Sequence, residues 1–462
     1  MQKVKVSVIV PSLNAMPYIK QCLDSIRIQT LTELEILCVD AGSEDGTLAV
    51  INEYAVMDNR IRLIKSDQKS YGYQVNHGIE AARGEYVGIV EPDDYIMEEM
   101  FEKLYCAASG NQLDFVKSNF YKFMDCLGRR YYQKWERSAW LGKREHPDAF
   151  PYNETILLKE TPQALVYGDH GNIWSGIYRR EFLLGRQIRL HETPGASYQD
   201  TGFAILCSLE AGRVMFLKDC FYRYRQHYDA SSVGSQEKHS HIIAEYAWIW
   251  EQMQERGLTD EISRSFYMSM KFHSYLWNYN RLRPDGRLKF LENLGKDQIL
   301  AFDEKLIAYV IPEKEKLLDL WQGSWQDMAF KNEREHLRRE KVTTFLAVFK
   351  RAVQIVVVCA GELGISILKA EKRLNTGKIC AICDNAVSMQ GRHVEGLEVV
   401  SVDYAVRTYP EAHFMIANIY HTQEIYDQIV NLGVEIEKIS IYKEEIYIGE
   451  KIIDFLLSDD AG

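Results

Sequence analysis

Residues Tyr86 to Tyr95 read YVGIVEPDDY. The run from Tyr86 to Val90 is short and apolar, the pattern of a strand buried on both faces, and it stops at Glu91-Pro92-Asp93-Asp94. Proline has no amide to donate, so it ends a sheet ladder and turns the residues after it away from the sheet. Three carboxylates within four residues at the carboxyl edge of a strand repel one another unless a cation lies among them, and a hard divalent cation takes oxygen ligands of this kind. The alternative reading is an acidic turn leading into a helix that starts near Glu98.

Upstream, the chain repeats a strand and a helix. Val4 to Val10 is rich in β-branched residues and ends at Pro11-Ser12-Leu13-Asn14, after which Ile19, Cys22, Leu23 and Ile26 fall on one helical face. Leu34 to Val39 reads as a second buried strand ending in Asp40-Ala41-Gly42-Ser43, and Glu44 to Met57 as a helix. Ile61 to Ile64 gives a third strand, Tyr73 to Ala82 a helix, and Tyr86 to Val90 the fourth strand. This alternation predicts an α/β fold on a parallel sheet with covered faces, whose ligands bind beyond the carboxyl ends of the strands. Polar residues gather at those ends. Asp40 stands where a carboxylate accepts hydrogen bonds from a base or a ribose, with capping of the next helix as the alternative.

The segments VSVIVPSLNAMPYIKQCLDSIRIQT, EILCVDAGSEDGT and GYQVNHGIEAARGEYVGIVEPDDYI follow one another in the part of the chain up to about Tyr105. In that order they resemble the nucleotide-sugar-dependent glycosyltransferases of family 2, which have the GT-A fold. By that resemblance Pro11, Asn14 and Asp40 line the nucleotide pocket, with Asp40 facing the base. Asp93 is then the metal-binding residue of a DxD motif and Asp94 its neighbour at the diphosphate, which helps Asp93 hold the cation, Mn or Mg. Glu91 stands in place of the first aspartate, and Ala41 in place of the acidic residue that commonly follows Asp40, so a direct contact of Glu91 with metal or ribose is left open.

Further on, Phe101 to Ala108 reads as a helix and Leu113 to Phe123 as a strand continuing the sheet. The segment from Cys126 to Gly171 has no clear period, and its Trp135, Trp140, Tyr152 and Tyr167 are either an acceptor wall or packing against the sheet. Gln199-Asp200 opens a helix carrying Phe203, Ile205, Leu206 and Leu209 on its apolar face. A carboxylate in a first turn is favoured by the helix dipole, whereas the resemblance makes Asp200 the base that deprotonates the acceptor hydroxyl. In Tyr222-Arg223-Tyr224-Arg225-Gln226-His227 the resemblance offers His227 as a further metal ligand, with a loop histidine as the alternative. Arg223 and Arg225 alternate, so they either face the diphosphate or make surface pairs.

From Glu237 to about Gly323 the pattern is helical and aromatic-rich, and Phe330 to Arg351 is a charged connector or a weak membrane-surface contact. Gln354 opens a second alternating unit, predicted as a small Rossmann-like parallel sheet. Its turn Cys359-Ala360-Gly361-Glu362-Leu363-Gly364 resembles GxGxxG with cysteine first, and Asp384 follows where a dinucleotide site places its ribose carboxylate. The expected division is a GT-A domain at 1–235, a helical region at 236–350 and the Rossmann-like domain at 351–462.

With 55 basic against 66 acidic residues the net charge is −11, which argues against a nucleic-acid partner. The nine cysteines are scattered, and the CxxC pair Cys380 and Cys383 lies in an apolar run, so reduced thiols in a strand are expected. No signal-peptide pattern and no run of about 18 apolar residues is present, which predicts a cytoplasmic protein, with peripheral contact at the inner membrane face left open. The function expected from the resemblance is inverting, metal-dependent transfer of a sugar from a nucleoside-diphosphate donor, UDP-linked, to a hydroxyl of a glycan or lipid-linked glycan in bacterial surface polysaccharide synthesis. The alternatives are a catalytically degenerate nucleotide- or glycan-binding module whose C-terminal unit tethers partners, and an NAD-dependent enzyme resting on Gly361, Gly364 and Asp384. Homo-oligomerisation through the C-terminal unit is left open.

Overall fold

The computed structural model describes residues 3–126, 129–136, 151–160, 172–226, 240–282, 286, 289, 290, 293, 345–418 and 421–442. Trp140, Tyr167, His227 and the charged stretch 330–344 lie outside the described residues.

β1 (Val6–Ser12), α1 (Ile19–Arg27), β2 (Leu34–Asp40), α2 (Thr47–Met57), β3 (Ile61–Lys65), α3 (Tyr71–Ala81) and β4 (Tyr86–Ile89) alternate as the periodicity predicts. β1, β2 and β4 are buried at every position, a state that requires cover on both faces. Part of that cover is the apolar stripe of α1, which buries Ile19, Cys22, Leu23 and Ile26. The strands pair in parallel in the order β3-β2-β1-β4. The chain thus winds outward from β1 to β3 and returns to lay β4 on the other side of β1. The topological switch point, where open α/β sheets bind ligands, lies at the carboxyl ends of β1 and β4.

Past β4 the sheet becomes mixed. Its further elements are β5 (Tyr95–Ile96), α4 (Met100–Asn111), β6 (Phe115–Cys126), β7 (Arg129–Trp135), β8 (Ile156–Leu157), β9 (Gly176–Arg179), α5 (Arg180–Gly185), α6 (Gln199–Glu210) and β10 (Arg213–Arg225). The order continues β4-β9-β6-β10-β5, with β7 beside β6 and β8 beside β10. β9 runs antiparallel to both β4 and β6, so the parallel part of the sheet is the strand set β1 to β4 that the alternation predicts, and the mixed part lies beyond it. β9 and β6 come so close that a Cβ at Gly176 would lie 2.1 Å from the Val116 carbonyl oxygen. β7 pairs with β6 from Phe120↔Trp135 to Cys126↔Arg129, inside the stretch read as irregular. None of its residues is fully buried, so it carries no apolar alternation for a sequence reading to find.

α7 (His241–Glu255) and α8 (Glu261–Arg281) follow. They share the core of this first sheet: Ile242, Tyr246, Ile249, Phe266 and Tyr275 belong to one buried cluster with Ile9, Leu37, Val87 and Phe203.

A second sheet is formed from the C-terminal part. α9 (Phe345–Arg351), β11 (Ile355–Val358), α10 (Glu362–Leu374), β12 (Ile379–Cys383), β13 (His393–Val394), β14 (Leu397–Val400), α11 (Val402–Thr408), β15 (His413–Ile416), α12 (Thr422–Asn431) and β16 (Ile439–Ile441) give the order β13-β14-β12-β11-β15-β16. All pairings are parallel except β13 with β14. Cys380 and Cys383 are free thiols on β12. No helix among the described residues is long and apolar enough to cross a membrane.

Candidate functional site

The loops after β1 and β2 are laced together at one side of the switch point. Asn14, at φ 51°, donates its amide to Ser43 Oγ at 2.9 Å, and its Oδ1 accepts the Glu44 amide at 2.9 Å. The Ala15 and Met16 amides reach Thr47 Oγ1 at 2.8 Å and Asp45 Oδ2 at 2.9 Å. Pro11 is buried in β1 opposite Val39. Asp40 takes the Gly42 and Ser43 amides on Oδ1, each at 2.9 Å, and the Ser43 hydroxyl on Oδ2 at 2.6 Å. It caps its own turn and not α2, whose N-cap is Gly46. Underneath, Gln74 of α3 donates to the carbonyls of Ser12 and Val39 at 2.9 and 2.7 Å, tying the ends of β1 and β2.

On the other side stands the acidic turn, and its carboxylates are placed differently. Asp94 is 0% exposed, with Oδ2 accepting the Tyr222 hydroxyl at 2.9 Å and Oδ1 the Arg225 amide at 2.7 Å. The same hydroxyl accepts the Glu91 amide at 3.0 Å, so Tyr222 bridges both ends of the turn. Both Asp94 oxygens therefore serve the seam between turn and β10. Glu91 accepts the Tyr71 hydroxyl at 2.6 Å. Burial, reinforced by the negative charges of Asp93 and Asp200, pushes its carboxyl up to about 8 against the pull of that hydrogen bond. Asp93 is half-buried, and its backbone carbonyl accepts Arg225 Nε at 2.7 Å.

Asp200 lies in the first turn of α6, half-buried. Its neighbour Gln199 is 1% exposed and donates to Thr193 Oγ1 at 2.9 Å, Thr193 O at 3.2 Å and Gly195 O at 3.1 Å, while its Oε1 accepts the Ser197 amide. These bonds hold Tyr198 at φ 66° and set the angle at which α6 begins. Gly195 in turn accepts the Tyr71 amide at 2.9 Å and donates to Lys69 O at 2.8 Å. The start of α3 thus delivers Tyr71 to Glu91 and also holds the loop that delivers Asp200. α7 braces that loop from behind, where His191 stacks on Trp248 at 4.6 Å and meets Glu245 at 2.9 Å. Asp200 lies within electrostatic reach of Glu91, Tyr71 and Tyr224; burial first, and these carboxylates next, hold both phenols above their ordinary range.

The arginines do otherwise than expected. Arg225 is 7% exposed and gives Nη1 to Asp125 at 3.0 Å and Nη2 to Gln21 at 2.6 Å, with Tyr18 and Phe123 each 4.5 Å from its guanidinium. Arg223 is buried too, bonded to Cys220 O at 2.8 Å and lying 4.6 Å over Tyr121. Each guanidinium nitrogen of Arg225 thus bonds within the protein and Arg223 Nη1 bonds backbone carbonyls, so both are buried rather than paired at the surface. Trp135 stacks on Phe120 at 4.8 Å and Tyr152 meets Asn119, so both aromatics pack against β6. Among the described residues no three His, Cys, Asp or Glu side chains are grouped to hold a metal, and His227 lies outside them. Sequence reasoning missed Tyr71, Tyr222 and Gln74. The one signal in the chain is that Tyr71 follows Ser70, the N-cap whose hydroxyl fixes where α3 starts.

Comparison with known proteins agrees with this geometry. The family model described as glycosyl transferase family 2 matches residues 7–182, from β1 into α5. The chain is 33% identical over 225 residues to the uncharacterized glycosyltransferase EpsJ of Bacillus subtilis (strain 168), 48% of this chain and 61% of EpsJ. It is 35% identical over 224 residues to glycosyltransferase GlyG of Streptococcus pneumoniae serotype 4, 48% of this chain and 70% of GlyG. Among solved structures, S. aureus TarS 1–349 in complex with UDP-GlcNAc superposes with a TM-score of 0.51 at 22% identity, over 73% of this chain and 93% of that one, a likeness of fold. A motif-bearing switch point, a family match through the acidic turn and 35% identity across 70% of GlyG together place this chain in glycosyl transferase family 2.

Proposed function

We propose that this protein transfers a sugar from a UDP-linked donor to a hydroxyl of a glycan or lipid-linked glycan acceptor, with inversion at the anomeric carbon, in bacterial surface polysaccharide synthesis. The observation that carries this reading is the approach of two acidic centres at the switch point, the turn after β4 with Glu91 and Asp93 and the first turn of α6 with Asp200. The fold shared with TarS, a protein crystallised with UDP-GlcNAc, supports a uridine nucleotide as the donor's leaving part.

The laced loops of Asn14 and Asp40 supply a rigid wall for the nucleoside. Asp93, half-buried on the same turn as Glu91 and Asp94, is assigned as the carboxylate at the diphosphate, and Asp200 adds a second acidic group within electrostatic reach of that turn. Asp93 would hold Mn or Mg, which when bound would supply neutralisation of the charge on the leaving diphosphate. Asp200 takes the proton of the acceptor hydroxyl as its oxygen attacks the anomeric carbon in line. The new C–O bond forms while the bond to the diphosphate breaks, and the diphosphate leaves with the electron pair. One displacement inverts the centre and needs no covalent enzyme intermediate.

The test is turnover of a panel of UDP-sugars with manganese, read as UDP release and as product stereochemistry. Asp200→Asn is expected to bind the donor and to lose about 100-fold or more in transfer rate. A wild-type rate in that variant overturns the assignment of the base, and nucleotide binding without any turnover in the native protein favours a binding module.

A further inference from the structure

The acidic turn is held from outside its own sheet as well as from within it. Arg225 fixes the turn twice, through its amide to Asp94 at 2.7 Å and through Nε to the Asp93 carbonyl at 2.7 Å. Its own orientation depends on Asp125, 3.0 Å from Nη1, and Asp125 is gripped by Arg130 of β7 at 2.6 and 2.8 Å. Adjacent strand residues point to opposite faces, so Met124 departs in the other direction from Asp125. It is 1% exposed and lies in the buried cluster of the second sheet with Phe349, Leu368 and Tyr442. Tyr131, paired with Met124 across the hairpin, packs against the same cluster, and Arg129 Nη1 approaches the Arg373 carbonyl of α10 at 3.5 Å.

The β6–β7 hairpin therefore has one face in each unit. We propose that Asp125 and Arg225 are positioning residues for the acidic turn and that the second sheet, by gripping Met124 and Tyr131, sets their geometry, so that diphosphate binding depends on this contact. The second sheet then acts on the donor site without touching it. Asp125 is the joint: without it a buried guanidinium loses its counter-charge and the turn loses the strut that fixes Asp93 and Asp94.

The proposal rests on the reading of Asp93 as the diphosphate-site residue, and its test separates the two. In the full-length chain, Met124→Glu, Tyr131→Ser and Asp125→Ala are compared with wild type by hydrogen–deuterium exchange of the peptide covering residues 90–97 and by UDP affinity in manganese. Exchange of that peptide is expected to quicken, and the Kd for UDP to rise, by about tenfold each in all three variants, while peptides of β1 and β2 keep their protection. Asp125→Glu, which keeps the charge, is expected to recover most of both effects. Unaltered exchange at 90–97 in Met124→Glu and Tyr131→Ser, with second-sheet peptides exposed, overturns the coupling. A wild-type protein that binds no UDP would end the diphosphate reading and with it the affinity arm, whereas the exchange arm still decides whether the hairpin holds the turn.

Discussion

Asp93 and Asp94 are neighbours of one chemical type, yet the structure gives them different work, and substitution by alanine separates the two. Asp94→Ala removes two hydrogen-bond acceptors, one for the Tyr222 hydroxyl at 2.9 Å and one for the Arg225 amide at 2.7 Å. A hydrogen bond to a charged group contributes about 1.5–3 kcal/mol, so two give about 3–6 kcal/mol. Against this stands the cost of burying the carboxylate itself, which raises its pKa well above the usual range and is relieved when the group is deleted. The net loss is expected near 3 kcal/mol, a fall in Tm of about 6–12 °C for a unit of this size. Asp93→Ala deletes a side chain more exposed than that of Asp94 and is expected to cost less stability than Asp94→Ala. Its effect falls on function: manganese-dependent stabilisation by UDP disappears and turnover drops by about 100-fold or more. Paired thermal melts, with and without UDP and manganese, read both quantities from one titration. An unmoved Tm in Asp94→Ala, or a fall in Asp93→Ala as large as in Asp94→Ala, refutes the division of labour between them.

A Cβ at Gly72 would lie 2.1 Å from the His191 carbonyl oxygen, a backbone atom on the loop that leads to Asp200. Gly72→Ala is therefore expected to displace that loop, costing about 1–3 kcal/mol in a denaturant melt and lowering transfer rate more than donor affinity. His413 is shifted from 6.5 down to about 4 by burial, with Arg351 adding repulsion. The unfolded chain binds this proton below pH 6.5 and the folded sheet only near pH 4, so stability falls as pH drops through that window; His413→Gln is expected to flatten the dependence in melts across it.

Strand–helix alternation up to β4 was legible because β1, β2 and β4 are buried at every position and end in polar turns, which leaves little ambiguity of period. What lay beyond was hidden for a physical reason. β10 carries Lys218, Asp219 and Arg223 among its apolar residues and pairs with β6 about a hundred residues before it, while β7 is charged at Arg129, Arg130 and Lys134 and takes its place from the hairpin with β6, so neither is announced by its own pattern. The positions of Glu91, Asp93 and Asp200 at strand and helix ends followed from composition and turn chemistry. Which oxygen of which carboxylate is already engaged did not, because Tyr222 and Arg225 lie more than a hundred residues from Asp94.

The second sheet shows the same limit with the opposite result. The glycine-like turn after β11 does require an unusual backbone, and Cys359 stands at φ 85° where the pattern has its first glycine. The close approach that the last glycine serves is present too, since a Cβ at Gly364 would lie 2.0 Å from the Cys359 carbonyl oxygen. Yet Asp384, the residue in the ribose position, accepts the Ala360 amide at 2.7 Å and the Ala386 amide at 2.8 Å. A dinucleotide needs turn amides aimed at its pyrophosphate and a carboxylate aimed at its ribose. Here the carboxylate has taken a turn amide, so Asp384 and the Ala360 amide satisfy each other. On the proposal above, the load of this sheet is the hairpin that seats Met124 and Tyr131, so its expected part is to support the acidic turn.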